Sequence, residues 1–181
     1  MKIIFVFSLA LFSSLLSIAQ FNSASVTAAG LTCAMCTKAI YKSLEKLPGV
    51  QSVDADIKSS AFNVKFKDGA SIDPDALKKA VEDAGFSVAK LQLSGNFDNV
   101  QVKNDAHINI GNRTFHFLKT GNKELNGQNT VTIVDKNFLS AKEFKKYSSS
   151  TNYPCVETGK AEECCAKMGL VQHSRIYHVT L

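Results

Sequence analysis

The sequence predicts an α+β protein: a ferredoxin-like βαββαβ half followed by a small mainly-β half with OB-like proportions. Three observations carry this. Between about residues 21 and 93 the apolar spacing switches between period two and helical period, in the order strand, helix, strand, strand, helix, strand. Pro48-Gly49 and Gly85 stand where the two helical patterns stop. From about Ser94 onward helical periodicity fades and short alternating segments dominate, separated by turn residues.

Each element has its own warrant. FNSASVTAAGL reads as a strand ending at Gly30, whose backbone freedom suits the turn that follows. From Ala34 to Leu47 the residues Cys36, Ile40, Leu44 and Leu47 recur at helical spacing. Val53, Ala55 and Ile57 alternate with polar neighbours, and after Lys58-Ser59-Ser60 so do Phe62, Val64 and Phe66. That is a hairpin with one wet face. Asp73-Pro74-Asp75 opens the second helix with a capping carboxylate, a proline at the first helical position and an acid facing the positive end of the dipole. Its buried stripe is Leu77, Ala80, Val81 and Ala84, and FSVAKLQL is the fourth strand. Two helices on one face of a four-stranded antiparallel sheet bury every apolar stripe. Beyond Ser94, NVQVKN, AHINI, RTFHFLK and TVTIVD read as strands, with turns at Gly111-Asn112, Gly121-Asn122 and Asn126-Gly127. SAKEFKKY reads as one short helix and RIYHVTL as a closing strand. The expectation is a small barrel or sandwich with about five strands.

The chain has 181 residues, of which the first twenty stand apart. Lys2, an apolar run from Ile3 to Leu16 and small residues near Ser17 and Ala19 have the build of a secretory signal peptide, cleaved after Ala19 or Gln20. The run is shorter than the ~20 residues a membrane span needs. No other segment is apolar enough to span, so the mature chain is expected to be exported, to a periplasm or the exterior, without a membrane span. The organisation expected is signal peptide 1–20, first domain 21–93 and mainly-β domain 94–181. Net charge is +5, or +4 once Lys2 is removed with the leader. With no block of like charges and no aromatic-basic interleaving, nucleic acid is excluded as an expected partner.

GLTCAMC carries the chemistry. Cys33 lies in the loop after the first strand and Cys36 in the first turn of the helix. Residues three apart there share a side, with Cβ atoms about 5 to 6 Å apart. Two thiolates about 2.3 Å from one metal need sulfurs no more than ~4.6 Å apart, which small rotamer changes supply. The unpaired N–H groups and the helix dipole favour thiolate over thiol. Two soft sulfurs without a further ligand nearby favour a soft cation that tolerates two-coordination. Cu(I) comes first and Hg(II) suits the same geometry, while Zn(II) would need two more ligands. Two other readings compete. One is a structural disulfide between Cys33 and Cys36. The other is a thioredoxin-like redox pair, for which no Trp precedes the cysteines and no Pro lies between them.

GLTCAMC is similar to the G-M-T-C-x-x-C signature of the heavy-metal-associated domains. LPGVQSVDADI and ALKKAVEDAGFSV resemble that family's later stretches. The resemblance covers about residues 21–93. It implies that Cys33 and Cys36 are metal ligands and that Phe86 sits in a loop near them. Leu31 stands where the family usually has Met, and it can pack beneath the loop in the same way. No resemblance of comparable strength extends over residues 94–181.

The carboxyl-terminal stretch YPCVETGKAEECCAKMGLVQH holds Cys155, Cys164, Cys165, Met168 and His173. It reads either as a second soft-metal site built on the three cysteines and Met168, or as a disulfide from Cys155 to Cys164 or Cys165. Such a bridge would close a loop of about ten residues, worth on the order of 2 to 3 kcal/mol. The five cysteines of the chain are an odd number, so one thiol is left over in the disulfide reading. His107, His116 and His178 fall in expected strands, and His116 and His178, with apolar or aromatic neighbours, read as packing groups rather than ligands. Lys38, Lys42 and Lys46 repeat every four residues and read as a solvated face, with a docking surface for an acidic partner as the alternative. Taken together, the expectation is a non-enzymatic, exported metal-binding protein that buffers Cu(I) or passes it to a partner. The rival is an envelope thiol–disulfide protein using the same pair.

Overall fold

The structure, a computed structural model, describes residues 19–31, 33–166 and 169–181, with Cys164 described by its backbone alone. The expected leader therefore lies outside the described residues, as does Met168. The elements run β1 (Gln20–Ala29), α1 (Ala34–Glu45), β2 (Val50–Asp56), β3 (Ala61–Phe66), α2 (Pro74–Asp83) and β4 (Ser87–Val102). They continue with β5 (His107–Ile110), β6 (Arg113–Phe117), β7 (Lys123–Ile133), α3 (Ala141–Ser148), α4 (Cys155–Thr158), α5 (Glu163–Ala166) and β8 (Ile176–Thr180). No helix among the described residues is long and apolar enough to cross a membrane.

The first half is the expected βαββαβ unit, with antiparallel strands in the order β2-β3-β1-β4. In β1 the buried positions are Phe21, Ala24, Val26 and Ala28. The phase slips between Phe21 and Ala24 because the β1–β4 register shifts between Phe21 and Ser23, which turns the side chains over. Helix α1 buries Ile40 and Leu44, each contributing about 1.5–3 kcal/mol by leaving water. Helix α2 begins at Pro74, with the Asp73 carboxylate accepting from the Asp75 N–H at 2.9 Å, and buries Leu77, Ala80 and Val81.

The second half differs from a separate barrel. All eight strands form one sheet, in the order β2-β3-β1-β4-β7-β8-β6-β5. The reason is β4, which runs straight through residues 93 and 94 and pairs with β7 from Gln92–Thr132 to Val102–Lys123. Asn126-Gly127, expected as a turn, lies inside β7 instead. Gly127 has φ +67 and faces Phe97, where β4 accommodates an extra residue before Val100, with Asn99 at φ 50. A positive-φ glycine serves a bulge as well as a turn. The sheet also curls. The Phe21 ring lies 5.1 Å from that of Phe115, although three strands separate β1 from β6 in the sheet order. The Gly111 N–H donates to the Ala19 carbonyl at 3.0 Å across the same gap.

Strand β8 lies antiparallel to β7 and parallel to β6. The long connection that a parallel pair requires carries α3, α4 and α5. These short helices seal two small apolar clusters, one on Leu118, Val134, Phe144 and Val156, the other on Cys155, Ala161, Cys165 and Ile176. Helix α2 is tied to β8. Arg175 donates from Nε to Asp75 at 2.9 Å and from Nη2 to Asp135 at 2.8 Å, and Tyr177 donates to both Asp73 and Asp75.

Candidate functional site

The first candidate site is the amino-terminal end of α1. Cys33 is the N-cap, with extended backbone (φ −141, ψ 150), and Cys36 is in the first turn. The Cys36 N–H donates to Cys33 Sγ at 3.1 Å, and the Thr37 N–H donates to the Cys33 carbonyl at 3.2 Å. Sulfur thus occupies the place an oxygen usually takes at a helix start, facing orphan N–H groups. The first turn holds no acidic residue, so the helix itself brings no carboxylate against negative charge on sulfur; Asp56 lines the cleft beside Cys33. In the structure the two sulfurs are joined as a disulfide, with Cα atoms 5.3 Å apart. That is the bonded form weighed against metal ligation, and only its reduction exposes the two thiolates a cation needs.

The surroundings are open. Cys33 lies on the surface beside a shallow cleft of about 180 Å³ lined by Leu31, Ala34, Thr37, Ile57 and Phe62 among others. Leu31 is half-buried against the core, as expected of its place beneath the loop. Met35, between the two cysteines, is 73% exposed, and Ile57, on the cleft wall, is 72% exposed. Lys38, Lys42 and Lys46 are exposed along α1. Phe86 sits half-buried in the link between α2 and β4, packed against the core.

The carboxyl-terminal residues converge in part, and on partners the sequence does not single out. Cys155 Sγ lies 3.6 Å from His116 Nδ1 and 3.7 Å from His107 Nε2. Cys165 Sγ lies 3.9 Å from the same His107 Nε2. His116 and His107 stack, with ring centroids 4.0 Å apart, and Tyr153 packs edge-on against both. His116, Cys155 and Cys165 are completely buried. The reading of His116 as a mere packing group is therefore corrected: it faces a sulfur, and its Nε2 is bonded to the Asp105 carboxylate at 3.1 Å. Asp105 is held by its N–H to the Phe117 carbonyl, in a left-handed backbone conformation (φ 61) that aspartate tolerates better than most residues. His178 is buried with Nδ1 bonded to Asp135 at 2.5 Å and packs edge-on to His116 at 5.1 Å. Its Nε2, like His107 Nδ1, is buried without a hydrogen-bond partner among the described residues. Burial, the largest effect, pulls the imidazoles of His107 and His116 below their ordinary range, His116 to about 3. The side chains of Cys164 and Met168 lie outside what is described, so their expected part is neither met nor refuted.

Comparison with known proteins covers the first half. The model of the family described as the heavy-metal-associated domain matches residues 25–87. The copper chaperone CopZ of Bacillus subtilis is 33% identical over 61 residues, which is 34% of this chain and 87% of that protein. Copper-transporting ATPase 1 of Rhizobium meliloti is 36% identical over 66 residues, 36% of this chain but 8% of the ATPase. The chain thus spans less than a tenth of the transporters it matches. Among solved structures, a CopZ metallochaperone aligns with 97% of its own length and 36% of this chain, at 26% identity and a TM-score of 0.34.

Proposed function

The chain belongs to the heavy-metal-associated domain family, and from that premise we propose that it is an exported binding protein that holds Cu(I) between Cys33 and Cys36 and hands it to the thiols of a partner. The observation that carries this is the placement of both sulfurs at an exposed helix start, within bonding distance of each other, with no acidic residue in the first turn of the helix. The copper chaperone and copper transporter among its relatives support the choice of metal. Hg(II) fits the same two sulfurs, whereas Zn(II) would have to recruit further ligands from a partner. Export rests on the amino-terminal leader and makes a periplasmic or extracellular setting the proposed compartment.

Loading needs the dithiol form. A thiol reductant supplies two electrons to cleave the Cys33–Cys36 bond, and each sulfur gives up its proton as it binds the cation. Transfer then proceeds by attack of a partner thiolate on the open two-coordinate ion, followed by departure of one of the chain's own sulfurs. Exposed Met35 and Ile57 offer the partner an apolar rim around that point.

The test is competition for Cu(I) against a chelator, using reduced protein lacking the leader. One equivalent should be withdrawn from the chelator, and Cys33→Ser or Cys36→Ser should abolish that uptake with the fold intact by circular dichroism. The disulfide seen in the structure favours a second reading, an envelope thiol–disulfide protein. No uptake by the reduced protein, together with rapid reduction of a test disulfide, would select it.

A further inference from the structure

We propose that His107 Nε2, His116 Nδ1 and the sulfurs of Cys155 and Cys165 form, in the reduced protein, a second metal site that takes Zn(II) in closed four-coordinate geometry. The site is built entirely from the second half of the chain and is independent of the role assigned to Cys33 and Cys36.

The distances fit the ion. With Zn–N near 2.0 Å and Zn–S near 2.3 Å, the nitrogen–sulfur edge of a tetrahedron is about 3.6 Å. Three of the four such edges are 3.6, 3.7 and 3.9 Å in the structure, and the fourth, from His116 to Cys165, closes as the ion binds. The donor atoms of His107, His116 and Cys155 all lie within 4.8 Å of one another. They come from β5, β6 and α4, with Cys165 on α5, so folding brings together groups up to 58 residues apart.

The outer shell fits at His116. Metal-bound imidazoles characteristically give their second ring nitrogen to a carboxylate, which fixes the tautomer. His116 does this through Asp105, leaving the Nδ1 lone pair turned to the sulfur. A disulfide involving Cys155 would account for the burial of its sulfur but not for two imidazole nitrogens aimed at it, one of them braced by a carboxylate. Charge selects the ion. Two neutral imidazoles and two thiolates around Zn(II) sum to zero, whereas Cu(I) would leave a net negative charge beside the fully buried His116, Cys155 and Cys165, at considerable cost. Four protein ligands also leave no open position, which suits a fixed ion rather than one in transit.

The experiment uses the leaderless full chain carrying Cys33→Ser and Cys36→Ser, fully reduced, so that the first pair is silent. Co(II) is the spectroscopic probe and Zn(II) the competitor. One equivalent of Co(II) should produce intense tetrahedral ligand-field bands and a thiolate charge-transfer band, both erased by one equivalent of Zn(II). His107→Gln, at a half-buried position, and Cys165→Ser should each weaken Zn(II) binding at least tenfold. Cys164→Ser should leave it unchanged. Asp105→Asn should keep the tetrahedral bands but lower affinity on the order of 10- to 100-fold, as expected of a positioning residue. The proposal is overturned by any of three results in protein that is folded by circular dichroism: no tetrahedral Co(II) spectrum, binding indifferent to His107→Gln, or a site that takes Cu(I) and refuses Zn(II).

Discussion

A methyl group at residue 95 would have nowhere to go. A Cβ built on Gly95 would lie 2.4 Å from the Gln20 carbonyl oxygen and 2.9 Å from the Phe21 Cα, both backbone atoms of the paired strand. Neither can rotate aside, so Gly95→Ala must push β1 away from β4 just where the two halves join. The expected cost is about 1–3 kcal/mol, the usual range for overpacking. It should appear as a lower urea midpoint with an unchanged slope, while Cu(I) uptake by the folded fraction of reduced protein stays normal. An unaltered midpoint would mean the strands part more easily than their pairing implies. Residues of this kind differ in how far their role can be read from sequence. Cys33 and Cys36 declare themselves, because three positions at a helix start suffice to place both sulfurs on one side. The other cluster does not. His107, His116, Cys155 and Cys165 are joined only by the fold, across separations of 39 to 58 residues, and apolar neighbours make His116 look like any packed histidine. The one signal within reach was the recurrence of histidine on adjacent strands, His107 opposite His116 and His116 beside His178.

Elements were legible where the signal was local. The caps, glycine stops and alternations of the first half coincide with α1, α2 and β1 to β3 to within a few residues. Strands β4 and β7 outrun their expected ends because nothing local marks continuation through Ser94 or past Asn126-Gly127. Their length is set by each other, along a ladder no single segment reveals. The short helices α4 and α5 escaped altogether, being single turns whose Cys155 and Cys165 pack in one cluster with Ile176 of β8. Helix α2 supports a prediction at this scale. Burial alone would raise the Asp75 carboxyl, but the hydrogen bonds and charge of Arg175 outweigh it and hold it below its ordinary value near 3.8. A carboxylate depressed by folding stabilises above its unfolded pKa and loses that contribution as pH falls through the folded one. The α2–β8 tie should therefore be at full strength above about pH 5 and weaken below about pH 4. In urea titrations, Asp75→Asn should lie below the parent at pH 6, with the gap closing as pH drops beneath 4. A gap that stays constant with pH would show that the ion pair with Arg175 adds nothing to stability.

For the whole molecule, one sheet and a principal core shared by both halves have a thermodynamic consequence. The principal apolar cluster runs from Ile40, Leu77 and Val26 in the first half, through Phe21 and Phe97, to Phe115, Tyr177 and Val179 in the second. Two independent domains would each keep a core of this kind to themselves. Here Phe21 touches the rings of both Phe97 and Phe115, and β4 contributes side chains to both halves of the ladder. Neither half can unfold without exposing apolar surface on the other, so the two should melt together. Calorimetry of the leaderless chain should give a single transition whose calorimetric and van 't Hoff enthalpies agree. A chain ending at residue 93 should keep Cys33 and Cys36 in place, yet melt at a lower temperature, because β4 loses β7 and the rings of Phe97 and Phe115 no longer cover Phe21. Two resolved transitions in the full chain would show that the shared strand aligns the halves without coupling them. In that event a cation captured at α1 would have no bearing on the stability of the His107–Cys155 cluster. With a single transition, ligand bound at either place adds to the stability of the same folded state, and Cu(I) at the first site should raise the melting temperature of the β8 end as much as that of α1.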